Sequence, residues 1–316
     1  MAAKTLLKTS IKPRVHRKHT MTDSVKRTNE IEEFTNLYII HPISSWLVPK
    51  FAALKIAPNT VSLCGMLFGI FAGIAYFHYQ NPYMAAAGFL SMFMWHIMDG
   101  ADGQLARLTK SYSEIGKILD GVCDYVTFIS VYVGLGLILS DQTDTQIWYI
   151  VLLSGALHAI QSSAYELQRG EYDFWGHGKE SQGLPEIKHM IADLDGKGPL
   201  AYVMSQFHIG YVRMQRRTSG IDSKFRATLK DILAANPERK DDIRALYRDV
   251  FAPGVRGWSI MCANYRTIAI FIAAIAGQPI YFFWFEIAIL TPILVLLVQK
   301  QRILNQLFTS RLKEII

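Results

Sequence analysis

Apolar runs of near-membrane length, parted by short polar breaks, constrain this chain more than any other feature. They cover residues 60–77, 83–98, 116–140, 146–165, 258–276 and 279–298. A helix needs roughly 20 apolar residues to cross a bilayer, so the second run is short for a crossing. The pattern predicts an all-α, polytopic membrane helical bundle with six transmembrane helices. Charge placement supports an even number. With the N-terminus inside, the outer connections are 78–82, 141–145 and 277–278, and none contains Lys or Arg. The inner segments hold nearly all of the 33 basic residues, as the preference for positive charge on the inner side requires. The net charge of +7 therefore reads as juxtamembrane charge beside anionic lipid. It does not read as a nucleic-acid footprint, because nothing downstream resembles a base-reading module.

The runs divide the chain. Residues 1–33 form a basic N-terminal tail. Residues 34–56 form an interfacial amphipathic segment, broken by Pro42 and Pro49, with Trp46 and Lys50 suited to the headgroup level. Residues 57–165 hold the first four crossings. Residues 166–256 are a polar cap or insertion on the inner side, 257–299 the last two crossings, and 300–316 a C-terminal tail. Within the cap, 199–214 is apolar but short and runs into Arg213, Arg216 and Arg217. It reads as an interfacial helix or a cover on the inner side. Gly65, Gly69 and Gly73 recur every four residues in the first run, a spacing that permits close helix packing within the chain or between two copies. Cys64, Cys123 and Cys262 show no metal-ligand spacing and imply no disulfide framework.

Charge is concentrated where it is least expected. Asp99, Asp102, Asp120 and Asp124 lie within 26 residues, between two apolar runs. The first pair is spaced i,i+3 and the second i,i+4, so on helices each pair shares one face. Capping explains an aspartate at a helix start, and Asp99 or Asp102 fits that role. It does not explain Asp120 and Asp124 inside the start of an apolar helix, where a carboxylate is costly and needs a partner. A hard divalent cation, Mg²⁺ or Mn²⁺, is such a partner. Gly100, Gly103 and Gly121 beside the acids allow a bulky ligand to approach the backbone, and Gly116 clears the face of Asp120. Arg107 is a fixed cation able to pair with an acid or a phosphate. Two carboxylate-held ions beside an arginine suit a diphosphate substrate.

The run Asp99-x2-Asp102-Gly103-x2-Ala106-Arg107-x8-Gly116-x3-Asp120-x3-Asp124 resembles the CDP-alcohol phosphotransferase signature at all eight fixed positions. Six spans, an interfacial N-terminal helix and Pro58-Asn59 before the first span extend the resemblance, which covers approximately 34–165. It implies that Asp99, Asp102, Asp120 and Asp124 hold two Mg²⁺ or Mn²⁺ ions, with Asp124 also the general base for the acceptor hydroxyl. It implies that Gly103, Ala106 and Arg107 lie along the CDP surface and that Gly116 gives the nucleotide room. The donor is then CDP-diacylglycerol or another CDP-linked alcohol, the second partner an acceptor alcohol, and CMP the leaving group. CDP-diacylglycerol is the leading donor, in phospholipid synthesis. The alternative is a soluble CDP-alcohol such as CDP-inositol or CDP-choline, with a lipid or polyol-phosphate acceptor. By analogy the protein is a homodimer among membrane lipids, in a bacterial inner membrane with the site facing the cytoplasm.

Other candidates carry less information. Asn59 is placed either to reach the donor or to start a helix. His158, Ser162, Tyr165 and Glu166 give the fourth run a polar face that offers a lining for an acceptor pocket. Arg213 and Arg217 offer cations for an anionic acceptor, although interfacial charge is the default for each alone. A cation transporter is a competing class, against which the glycines and Arg107 argue.

Overall fold

The computed structural model describes residues 30, 32–111, 113–179, 184, 186–196 and 198–316. The basic tail expected over 1–33 lies outside the described residues except at its last positions. Among the described residues every regular element is helical. In order these are α1 (His41–Ala53), α2 (Pro58–Phe77), α3 (Pro82–Thr109), α4 (Glu114–Gln142), α5 (Ile147–His177), α6 (Ile187–Ala192), α7 (Pro199–Thr218), α8 (Ser223–Ala235), α9 (Lys240–Val255), α10 (Ala263–Ile275), α11 (Ile280–Trp284) and α12 (Thr291–Ile315).

Among the described residues, five helical stretches are long and apolar enough to cross a membrane: Pro58–Phe77, Ile118–Gln142, Ile147–His177, Pro237–Ile275 and Ile280–Ile315. The second expected crossing lies in α3, which is not among them. That helix is 28 residues long, but His96, Asp99, Asp102 and Arg107 interrupt its apolar character. The fold is thus a polytopic membrane bundle with five apolar helices of spanning length, and the polar load falls on α3.

Local chemistry sets the ends of the two acid-bearing helices. The Asn81 side chain accepts from the Tyr83 amide at 3.0 Å and Pro82 opens α3. Lys110, in a left-handed conformation at φ 54°, closes it. The Ser113 hydroxyl accepts from the Gly116 amide at 2.9 Å and starts α4.

Glycine brings α2 against both partners. A Cβ on Gly65 meets Met98 and Trp95 of α3; one on Gly69 meets the Thr127 side chain, and one on Gly73 the Ser130 carbonyl of α4. Gly134 abuts the Gly73 carbonyl from the other side. The glycine stripe of α2 is therefore spent inside the chain. α1 packs on the acid-bearing part of α3. Ser44 donates to the Ile97 carbonyl at 2.8 Å, and Val48, Val61, Ala101 and Leu105 form a small core. Trp46 stays exposed with the Lys50 ammonium over its ring.

A polar network ties α4, α5 and α10 to the π-helical segment Phe285–Leu290 that leads into α12. Glu286 and Arg266 are fully buried and paired at 2.7 Å. Ser154 donates to Glu286 at 2.5 Å, Tyr132 also donates to Glu286, and Arg266 donates to Gln161 at 2.7 Å. A buried ion pair offsets its desolvation only with its remaining valences satisfied, and these side chains satisfy them.

The inner segment is built on the crossings. α5 continues unbroken through the polar boundary to His177, and Gly178 at φ +67° ends it. Tyr172 and Trp175 of α5, Leu229 of α8, Tyr247 and Phe251 of α9, and Phe308 and Leu312 of α12 share one core. Residues 300–315 continue α12 as helix. Glu33 accepts from the Thr35 and Asn36 amides at 2.9 and 3.1 Å, and Asn264 of α10 donates to it at 2.7 Å, fastening the chain ahead of α1 to the bundle.

Gly73→Ala has no room against the Ser130 backbone and should lower stability by about 1–3 kcal/mol, the cost of overpacking. Gly121→Ala, with nothing within 4 Å of its Cβ, should not. Thermal unfolding in detergent measures both; equal midpoints would contradict the packing.

Candidate active site

α3 carries Asp99, Asp102, Gly103, Ala106 and Arg107, and α4 carries Gly116, Asp120 and Asp124. The fold brings three of the four aspartates together. One carboxylate oxygen each of Asp99, Asp120 and Asp124 lies within 4.8 Å of the others, and all three residues are half-buried. Asp102 is turned differently. It is 6% exposed and accepts a short hydrogen bond from Ser62 of α2. This partner had no local sequence signal, because Ser62 lies 40 residues away on another helix.

The donor set suits a hard cation. Three carboxylate oxygens converge, without histidine or thiolate, the chemistry of an Mg²⁺ or Mn²⁺ site. Asp124 Oδ1 is buried with no hydrogen-bond partner among the described residues. A buried charged oxygen left that way costs several kcal/mol (~1–3 or more), and a bound cation removes the deficit. The residues therefore fit the ion that their spacing implies.

Space lies beside the acids. A Cβ on Gly121 would meet nothing within 4 Å. A Cβ on Gly116 would fall 2.9 Å from Ser113 Oγ and 3.1 Å from Asn59 Oδ1. The start of α2 thus sits against the start of α4, and Asn59 borders the same end of the bundle as the carboxylates. Arg107 folds back along α3, its Nη1 3.4 Å from the Cβ position of Gly103. Ala106 is half-buried one residue earlier, and its carbonyl accepts from the Ser111 amide at 3.1 Å in the turn that ends α3.

The C-terminal part of α5 supplies the next charges. Glu166 is within electrostatic reach of Asp124, and Arg169 pairs with Glu166 at 3.1 Å. Tyr211 of α7 lies within reach of Glu166, Tyr125, Arg169 and Asp124. Burial pushes its phenol above the ordinary range, and the charge of Glu166 pushes the same way. Its hydroxyl accepts from Gln215 Nε2 at 3.3 Å. The apolar run 199–214 signalled a cover but not this tyrosine.

The remaining candidates lie apart. His158 Nδ1 is 2.9 Å from the Tyr132 hydroxyl and 3.4 Å from Glu286, with Phe128 across its ring. It belongs to the buried network and is not grouped with the aspartates. Ser162, four residues further along α5, is half-buried. Arg213 and Arg217 are exposed on α7. His96 faces away from the acids' function, bonded to Thr267 Oγ1 at 2.9 Å.

Comparison with known proteins places this site in a known context. Residues 55–173 match the family model of CDP-alcohol phosphatidyltransferase. Among curated relatives, a CDP-diacylglycerol–serine O-phosphatidyltransferase of Encephalitozoon cuniculi is 31% identical over 116 residues, 33% of this chain and 30% of that protein. Cholinephosphotransferase 1 of Xenopus laevis is 31% identical over 108 residues, 32% of this chain and 26% of that protein. Its counterpart in Rattus norvegicus is 29% identical over 97 residues, 28% and 24% of the two chains. The match thus spans less than a third of each relative's length. No solved structure matches the chain.

Manganese titration followed by electron paramagnetic resonance tests the cation site. The purified protein should bind Mn²⁺, and Asp99→Asn and Asp120→Asn should each weaken binding tenfold or more, about 1.4 kcal/mol. Ser62→Ala should weaken it less. Unchanged titration curves would contradict the assignment.

Proposed function

We propose a transferase activity on the premise that the chain belongs to the CDP-alcohol phosphatidyltransferase family through residues 55–173. The protein moves a substituted phosphate from a CDP-linked donor to an acceptor alcohol in lipid metabolism and releases CMP. The observation that carries this reading is the convergence of Asp99, Asp120 and Asp124 inside the family-matched region.

The choice of donor follows the relatives. Sequence alone favoured CDP-diacylglycerol. Five of the relatives, from five vertebrates, are named cholinephosphotransferase 1. They support the alternative better: a soluble CDP-alcohol, CDP-choline or a close analogue, as donor and a lipid alcohol as acceptor. The serine phosphatidyltransferase relative keeps CDP-diacylglycerol as the second reading.

In the step, the acceptor oxygen forms a bond to the phosphorus distal to cytidine. The bond from that phosphorus to the CMP oxygen breaks, and CMP keeps the electron pair. Asp124, with its buried unpartnered oxygen, takes the proton of the acceptor hydroxyl. Asp99, Asp120 and Asp124, with Asp102 in support, hold two Mg²⁺ or Mn²⁺ ions. When bound, such ions neutralise the diphosphate oxygens and stabilise the leaving group. Ser62 fixes the Asp102 carboxylate, Arg107 binds a phosphate oxygen beside Gly103, and Asn59 and Gly116 border the cytidine. Ser162 and Glu166 line the acceptor side. Arg213 and Arg217, exposed on α7, and His158, bonded to Tyr132, complete the acceptor candidates.

α3 serves as the sixth crossing. Its antiparallel return beside α2, and the absence of Lys and Arg from 78–82 and 141–145, support that count and a site on the cytoplasmic side. The homodimer keeps only the family likeness in its support, since the α2 glycines are occupied within the chain.

The test is CMP release by the purified protein with Mg²⁺ or Mn²⁺. CDP-choline with diacylglycerol should release CMP faster than CDP-diacylglycerol with serine. Release from the second pair alone would transfer the reading to the serine type, and none from any pair of CDP donor and alcohol would end it. Asp124→Asn should keep the fold and lower turnover about 10²–10⁴-fold, the range for losing a general base. Near-normal turnover would remove Asp124 from that role.

A further inference from the structure

We propose that α7 is a docking helix for the anionic headgroup surface of the membrane leaflet nearest the carboxylates. The helix lies outside residues 55–173, so the family match assigns it nothing. It carries no Asp or Glu. At 3.6 residues per turn, Tyr202, Val203, Phe207, Arg213 and Arg217 fall within an arc of about 140°, and all five are exposed. The three apolar side chains keep 46%, 49% and 77% of their surface free. On the opposite face Ile209 and Val212 are buried, and Gln215 donates to the Ser163 carbonyl of α5 at 3.1 Å. From Ile209 onward α7 is thus packed on one side, while Ala201, Tyr202, Val203, Phe207 and His208 before it are exposed.

The chemistry of the free face selects its occupant. Large apolar side chains come first along the helix and arginines follow. A bilayer interface presents the same order, acyl chain and then phosphate. The helix packs on the inner end of α5, where a crossing helix leaves the hydrocarbon. Val122 and Tyr125 at the inner end of α4 are also exposed, and Tyr125 is within electrostatic reach of Tyr211. The lipid-facing belt therefore continues to α7. The acids Asp193 and Asp195 precede the helix and lie off the stripe. Docking there holds the Tyr211 side of α7 next to Asp124 and Glu166.

The inference rests on the membrane-spanning fold and not on the transferase reading, and its test reads no turnover. A nitroxide is placed at Phe207→Cys or, off the stripe, at His208→Cys, in full-length protein with the exposed Cys64 changed to serine. The protein is reconstituted in phosphatidylcholine vesicles with or without phosphatidylglycerol, and label accessibility to oxygen and to an aqueous nickel chelate is compared. In anionic vesicles the 207 label should favour oxygen severalfold over the 208 label. The pair Arg213→Gln and Arg217→Gln should lose the difference between the two vesicle types. A 207 label as open to nickel as the 208 label would overturn the docking. Equal oxygen preference in neutral vesicles would overturn the anionic surface. Spin–spin broadening at 207 would instead identify a second copy of the chain as the occupant.

Discussion

Three carboxylates forced together among apolar helices are the constraint on which the rest of this structure depends. Two unit charges about 5 Å apart repel by roughly 3 kcal/mol even at an effective dielectric constant of 20. Asp99, Asp120 and Asp124 make three such pairs, with oxygens no further apart than 4.8 Å. Apolar packing gives no reason to hold them there, and a divalent cation does. The helices are arranged to enforce the approach. α2 lies between α3 and α4, with Gly65 admitting the first and Gly69 and Gly73 the second. Ser62 on the same helix holds Asp102. α2 thus acts as the spacer that sets the distance between the two acid-bearing turns.

The remainder of the bundle stabilises that geometry from a distance. Tyr132 lies two helical turns beyond Asp124 on α4 and donates to Glu286, whose charge is matched by Arg266. The same α4 helix therefore carries acids of the site near its start and, further along, Tyr132 bonded to a neutralised ion pair. Both solve the problem of burying polar groups among apolar helices, one through an internal counter-charge and the other through an ion from outside. The cap extends the same logic. Because α5 and α12 run on past the membrane into a shared core with α9, α7 rests on a rigid base beside the site.

Much of this was legible in the chain. Helical spacing put Asp99 with Asp102 and Asp120 with Asp124, whereas the helix starts at Asn81-Pro82 and Ser113 emerge only with the structure. Spacing within a helix does not tell which acid meets which across helices. Hence Asp102 pairs with Ser62 while Asp99 joins the α4 pair. His158 carries two readings, because polar residues on a membrane helix point to a pocket and to an internal network with equal force. Its partner Glu286 lies 128 positions further on, in an apolar run. The length of α5 has a related basis. Polar residues from Glu166 onward resemble a loop, yet Tyr172 and Trp175 find apolar partners on α9 and α12 that only the tertiary fold supplies. α3 shows the reverse effect: the polar groups that build the site are those that weaken its signature as a crossing.

The central claim is that these carboxylates hold a metal ion against a nucleotide phosphate. Phosphorus-31 electron–nuclear double resonance on the protein with Mn²⁺ and CMP tests it most directly. A phosphorus coupling to the bound manganese, lost in Asp99→Asn, is the predicted result. Manganese bound without phosphorus coupling, or a coupling unchanged by that substitution, would contradict it.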